Sequence, residues 1–164
     1  MSWFNNSPQN INADYKTMQE ICVSIISGKI LGNLTSMKAG VANLLTDFPE
    51  EAYTYLMAAE TYIVNESSAQ SHAIAGNYKK VVEFCEAGLK KLRNDGYIKY
   101  NKGSKNETEG LLYYYMAKAM YLDMAYSKIN HSYSRRDAEN FSVKAHSLLG
   151  TDETLKLYQI IAGL

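Results

Sequence analysis

Apolar residues recur at three- and four-residue intervals along nearly the whole chain and hardly ever alternate. Tyr15, Met18, Cys22, Ile25 and Ile26 form a stripe of helical spacing. Gly28 and Gly32 loosen the chain behind them, so a first helix is predicted over 12–30, after an N-terminal tail at 1–11. Met37, Val41, Leu44 and Leu45 predict a short second helix over 35–46. In Asp47-Phe48-Pro49-Glu50, Asp47 is placed to cap, Pro49 to sit in the first turn and Glu50 to reach back as in a capping box. The pattern that follows predicts a third helix over 48–65, burying Leu56, Ala59 and Ile63, before the polar break at 65–68.

Residues 69–93 read as one helix or as two pieces split at Gly76-Asn77. The second piece is amphipathic. Tyr78, Val81, Val82, Cys85, Leu89 and Leu92 share one face, with lysines and glutamates elsewhere. Residues 94–106 carry no apolar period and are predicted to be a long loop. The helix predicted over 107–128 shows Leu112, Met116, Ala119 and Leu122 on a face that Leu111, Tyr115 and Met120 widen, which implies a central helix covered on more than one side. Ser134 is placed to cap a helix that buries Ala138, Phe141, Ala145 and Leu148 and stops at Gly150. Thr151 is placed to cap a last helix bearing Leu155, Tyr158 and Ile161. The weak alternation Tyr97-Ile98-Lys99-Tyr100 has no strand to pair with. The expectation is an all-α chain in which residues 12–164 form a single domain of about six to eight helices joined as antiparallel hairpins.

Composition agrees with a globular class. The chain has 164 residues, 46% hydrophobic and 21% charged, with a net charge of zero, which argues against a disordered chain and against a generally basic nucleic-acid binder. Two cysteines are too few for a disulfide-stapled secreted mini-domain. With no apparent signal peptide and no apolar run long enough to span a bilayer, the expectation is a cytoplasmic protein without a membrane segment. Tyrosine is abundant, at 14 residues against a single tryptophan. A tyrosine packs its ring and presents its hydroxyl, so these residues suit half-buried helix seams or a binding surface.

Three stretches have the character of repeated hairpins. Ala75-Gly76-Asn77-Tyr78, followed by Val81, Val82, Cys85 and Gly88-Leu89, has a glycine turn and then small residues where helices cross. Ala138 and Ala145 bracket Phe141, with Leu148 after. Leu44-Leu45, then Pro49, Tyr53 and Leu56, reads as a junction between units. Together these stretches resemble fragments of tetratricopeptide repeats, which implies a stack of helical hairpins that binds another protein. The matches are not separated by a constant period, so an irregular helical bundle stands beside a tetratricopeptide-like stack as the second architecture.

Signs of chemistry are sparse. None of His72, His131 or His146 follows a glutamate at the spacing of a diiron bundle, and neither Cys22 nor Cys85 belongs to a Cys-x-x-Cys pair. No phosphate loop or dinucleotide fingerprint occurs. No catalytic residue, metal site or cofactor is therefore predicted, and both cysteines read as buried, inert thiols. Charge is more informative. Residues 39–77 hold five acidic side chains and no lysine or arginine, whereas 79–105 hold eight basic against three acidic. Two candidate partner-binding patches follow. One is acidic and tyrosine-bearing: Glu50, Glu51, Tyr53, Glu60 and Tyr62. The other is a basic loop: Tyr97, Lys99, Tyr100, Lys102 and Lys105. The leading expectation is a non-enzymatic protein-interaction module, whether adaptor, small chaperone or immunity-type binder, with self-association through the opposed patches as a variant. The alternative is a nucleic-acid-binding accessory protein using the basic segment 79–105. An enzyme with a dispersed site comes third.

Overall fold

The computed structural model describes residues 8–63, 76–95, 104–127 and 133–164, with side chains omitted at 8–15 and 94–95. Among the described residues there are seven helices and no strand: α1 Pro8–Leu31, α2 Leu34–Asp47, α3 Ala52–Tyr62, α4 Asn77–Asp95, α5 Lys105–Tyr126, α6 Arg135–Leu149 and α7 Asp152–Ala162. The all-α expectation holds.

Local chemistry explains most boundaries. Ser104 and Ser134 cap α5 and α6 by accepting from the backbone N–H groups of Glu107 and Asp137 at 3.0 and 3.1 Å. The Asp137 carboxylate in turn accepts from the Ser134 N–H at 3.3 Å, completing a capping box. Gly150 takes a left-handed conformation (φ 60°) as α6 ends, and Thr151 immediately caps α7. Gly76, at φ 76°, makes the turn into α4.

Several expectations are corrected. The described part of α1 already begins at Pro8, inside the stretch expected to be a tail. Asp47 ends α2 rather than capping α3. Phe48 turns into the core, Thr54 Oγ1 donates to the Phe48 carbonyl at 2.8 Å, and Tyr55 donates its hydroxyl to the Pro49 carbonyl at 2.7 Å. These bonds make 48–51 a tight corner, so α3 starts at Ala52, with Glu51 rather than Asp47 as its N-cap. In α7 the buried stripe is Thr154, Leu157 and Ile161, and Leu155 faces outward. The expected α4 face and the Leu112, Met116, Ala119 and Leu122 face of α5 are buried as read, whereas Leu111, Tyr115, Ile63, Phe141 and Leu148 are only half-buried at the edges of the core. The possible helix at 69–75 and residues 96–103 of the expected 94–106 loop lie outside the described residues; at its ends the loop is shorter than expected, because α4 runs through Asp95 and α5 starts at Lys105.

Each helix packs on the next, and the odd-numbered helices also meet: α1 with α3, α3 with α5, and α5 with α7. Hairpin partners run antiparallel. Along α1–α2, Gly28 neighbours Met37 while Ile25 neighbours Gly40. Along α3–α4, Glu50 pairs with Lys91 while Tyr62 meets Lys80. Glycines set the closest crossings. A Cβ on Gly40 would lie 2.5 Å from Ile25 Cγ1, and one on Gly110 2.6 Å from Leu149 Cγ. Helix α5 is central, contacting α3, α4, α6 and α7.

Candidate functional site

The acidic segment does not stand as one exposed patch. Glu51 and Tyr53 are buried, at 3% and 8% exposure. The corner at 48–51 turns both inward, placing the Glu51 carboxylate at the start of α3, where the positive end of a helix favours an anion. Glu50 stays at the surface but pairs with Lys91 of α4 at 2.9 Å, so acidic and basic segments meet within the molecule. Tyr62 is half-buried against Phe84, with the ammonium groups of Lys38 and Lys80 over its ring. Of the basic loop, Lys105 is exposed in the first turn of α5. Tyr97, Lys99, Tyr100 and Lys102 lie outside the described residues.

Glu60 has a different role from an exposed charge. It accepts a hydrogen bond at 3.2 Å from the hydroxyl of Tyr115 on α5. Burial, then the Glu60 charge, pushes the Tyr115 phenol well above its ordinary value, so the ring stays neutral and donating. Tyr115 in turn stacks edge-on with Tyr114, centroids 5.2 Å apart. Glu60 thus braces a pair of tyrosines that leads to an open groove.

That groove, about 220 Å³, lies between α5 and α7. Tyr114, Lys118 and Tyr121 form one wall, at helical intervals along α5; Glu153, Lys156 and Ile160 form the other, with Leu122 and Leu157 beneath. Helix α7 holds this position because the connection from α6 is only Gly150 and Thr151, and because His146 Nδ1 lies 2.8 Å from Thr154 Oγ1 across the turn. Burial, then the nearby Glu153 carboxylate, raises the Tyr114 phenol as well. Lys118 Nζ lies 5.9 Å from the Tyr114 ring centre, and Ile160 is 41% exposed.

The wall on α5 was not singled out in the sequence, although the tyrosines Tyr114 and Tyr121, a helical interval apart, are a signal for it; the opposite wall follows only from how α7 folds back. Cys22 and Cys85 are buried in the core, and burial raises the Cys85 thiol far above its ordinary value, which suits packing rather than nucleophilic work. Among the described residues no group of three or more His, Cys, Asp or Glu side chains is placed to hold a metal ion, and no helix is long and apolar enough to cross a membrane. No family model, curated protein or solved structure matches the chain, so the site is understood through its own geometry.

Proposed function

We propose that the chain is a tetratricopeptide-like stack of hairpins that works in the cytoplasm as a non-enzymatic protein-interaction module, taking an apolar side chain of a partner protein between Tyr114, Tyr121 and Ile160. The observation that carries this reading is the groove itself. Pockets for small molecules run to about 300–1,000 Å³ and enclose their ligand; at about 220 Å³ and open to solvent, this groove suits one anchoring side chain of a longer segment. Two half-buried tyrosines and an exposed isoleucine supply the aromatic and apolar contact that concentrates binding energy at protein interfaces. The contacts among α1, α3, α5 and α7 support the stack, because each odd-numbered helix meets the next, as the first helices of stacked hairpins do.

The test is selection of displayed peptides on the wild-type protein, followed by affinity measurement on Ile160→Asp. This variant changes an exposed position and leaves the fold intact. Selected peptides should share an apolar or aromatic residue and bind the variant about tenfold or more weakly, as expected for loss of an interface anchor. Peptides that bind both proteins equally, or a selection that enriches nothing, would remove the groove as the binding site.

A further inference from the structure

On a different face of the molecule, cations gather around two tyrosines and outnumber the carboxylates beside them. Between α2 and α4, the ring of Tyr62 on α3 has Lys38 Nζ at 5.2 Å and Lys80 Nζ at 4.9 Å from its centre. Between α4 and α6, Tyr113 of α5 lines a cleft of about 140 Å³ with Arg93, Lys105 and a single carboxylate, Glu109, and Lys144 Nζ of α6 lies 5.4 Å from the ring centre. Each tyrosine fills a gap between two even-numbered helices and gathers a cation from each. Attraction to the ring is worth about 0.5–1 kcal/mol at exposed sites and leaves the positive charge in place. A third position shows the contrast. Beside Tyr55, Lys91 is neutralised by Glu50 at 2.9 Å. Among the described residues, no carboxylate comes within ion-pair distance of Lys38, Lys80, Arg93 or Lys144.

We propose that this face docks an acidic segment of a partner protein, whose carboxylates supply at Tyr62 and Tyr113 the counter-charge that Glu50 supplies to Lys91. Lys80 and Arg93 sit near opposite ends of α4, about 20 Å apart along the helix axis and on opposite flanks of its exposed surface, so an extended segment that crosses α4 obliquely, past Glu83 and Glu86, brings one carboxylate cluster to each position. Nucleic acid is the other obvious polyanion, and the rings argue against it. Tyr113 is 8% exposed and stacks on Phe141 at 5.9 Å, while Tyr62 rests on Phe84 at 5.6 Å. Neither ring offers the open face on which single-stranded bases stack. The proposal is independent of the α5–α7 groove.

Fluorescence anisotropy at low salt tests it, with two labelled probes: a Glu/Asp-rich peptide of about twelve residues, long enough to span both positions when extended, and an oligothymidylate of matching charge. The peptide should bind, and its affinity should fall as salt rises. Lys38→Gln/Lys80→Gln and Arg93→Gln/Lys144→Gln, all surface changes, should each weaken it about tenfold, the scale of losing a charge-assisted contact. Ile160→Asp should bind the peptide like wild type, so failure of the groove reading leaves this result standing. Absence of peptide binding, unchanged affinity in both double variants, or equal affinity for the oligonucleotide would each overturn the proposal.

Discussion

Replacing Gly110 by alanine tests the closeness of the α5–α6 crossing that carries α7 to its place. A Cβ there would lie 2.6 Å from Leu149 Cγ, 2.8 Å from Leu149 Cδ2 and 3.1 Å from Leu148 Cβ. Cγ is the branch carbon of its side chain and Cβ is tied to the backbone, so neither yields without moving the end of α6. Two opposed effects set the magnitude. Alanine gains about 1 kcal/mol over glycine in a helix interior; overpacking a filled site costs about 1–3 kcal/mol. The net expectation is a loss of about 0–2 kcal/mol, a fall in Tm of a few degrees at about 2–4 °C per kcal/mol for a chain of this size. Gly88 is the internal comparison. Its closest neighbours are the two methyl ends of Leu112 at 3.0 and 3.1 Å and Tyr55 Cβ at 3.1 Å, so more of the contact can turn aside and Gly88→Ala should cost less. Urea unfolding followed by far-ultraviolet circular dichroism measures both. A Gly110→Ala protein stabilised by the full helix-propensity gain would show that the two helices are not in close contact at this point.

Leu122, 1% exposed in the central helix, should cost about 2–5 kcal/mol when cut to alanine; a loss below about 0.5 kcal/mol in the same unfolding assay would be that of a surface position and would refute its place in the core. Alkali should destabilise the fold. Burial, then the carboxylates of Asp123, Glu86 and Glu83, lifts the Tyr133 phenol from 10.0 to about 12. The folded chain therefore holds a proton that the unfolded chain releases, and the associated stability is fully present below pH 10 and is lost as pH rises toward 12. Tyr133→Phe should flatten that decline in denaturant titrations across this range, and an unchanged slope would contradict the assignment.

Elements whose signals are local were legible in the sequence. Ser134, Gly150 and Thr151 act through neighbouring backbone groups, and the α4 stripe from Tyr78 to Leu92 follows from one helix's own period. The corner at 48–51 was not legible in this way. Asp47 and Pro49 carry ordinary helix-start chemistry, but burial of Phe48 and the bonds from Thr54 and Tyr55 to carbonyls upstream outweigh it. The same burial withdrew Glu51 and Tyr53 from the surface on which their polarity placed them. Likewise, charge counted along the chain could not show that Glu50 and Lys91 meet, because that pairing depends on α3 and α4 lying antiparallel. The α5–α7 groove needs the turn at Gly150 before its second wall exists. In α7, Leu155 and Leu157 are the same residue type, and only the position of α5 and α6 decides which of them is buried.

The restriction of helix contacts to first and second neighbours along the chain also bears on how the protein is made. Among the described residues, every substantial helix–helix contact lies within two helices along the chain. Little loop-closure entropy separates such partners, and topologies of this kind fold quickly. During synthesis each hairpin can bury its apolar face soon after leaving the ribosome, since among the described residues no early helix makes a substantial contact with a distant C-terminal one. At any moment only the last two helices to emerge still wait for a partner, which shortens the time in which nascent chains could associate through exposed apolar surface.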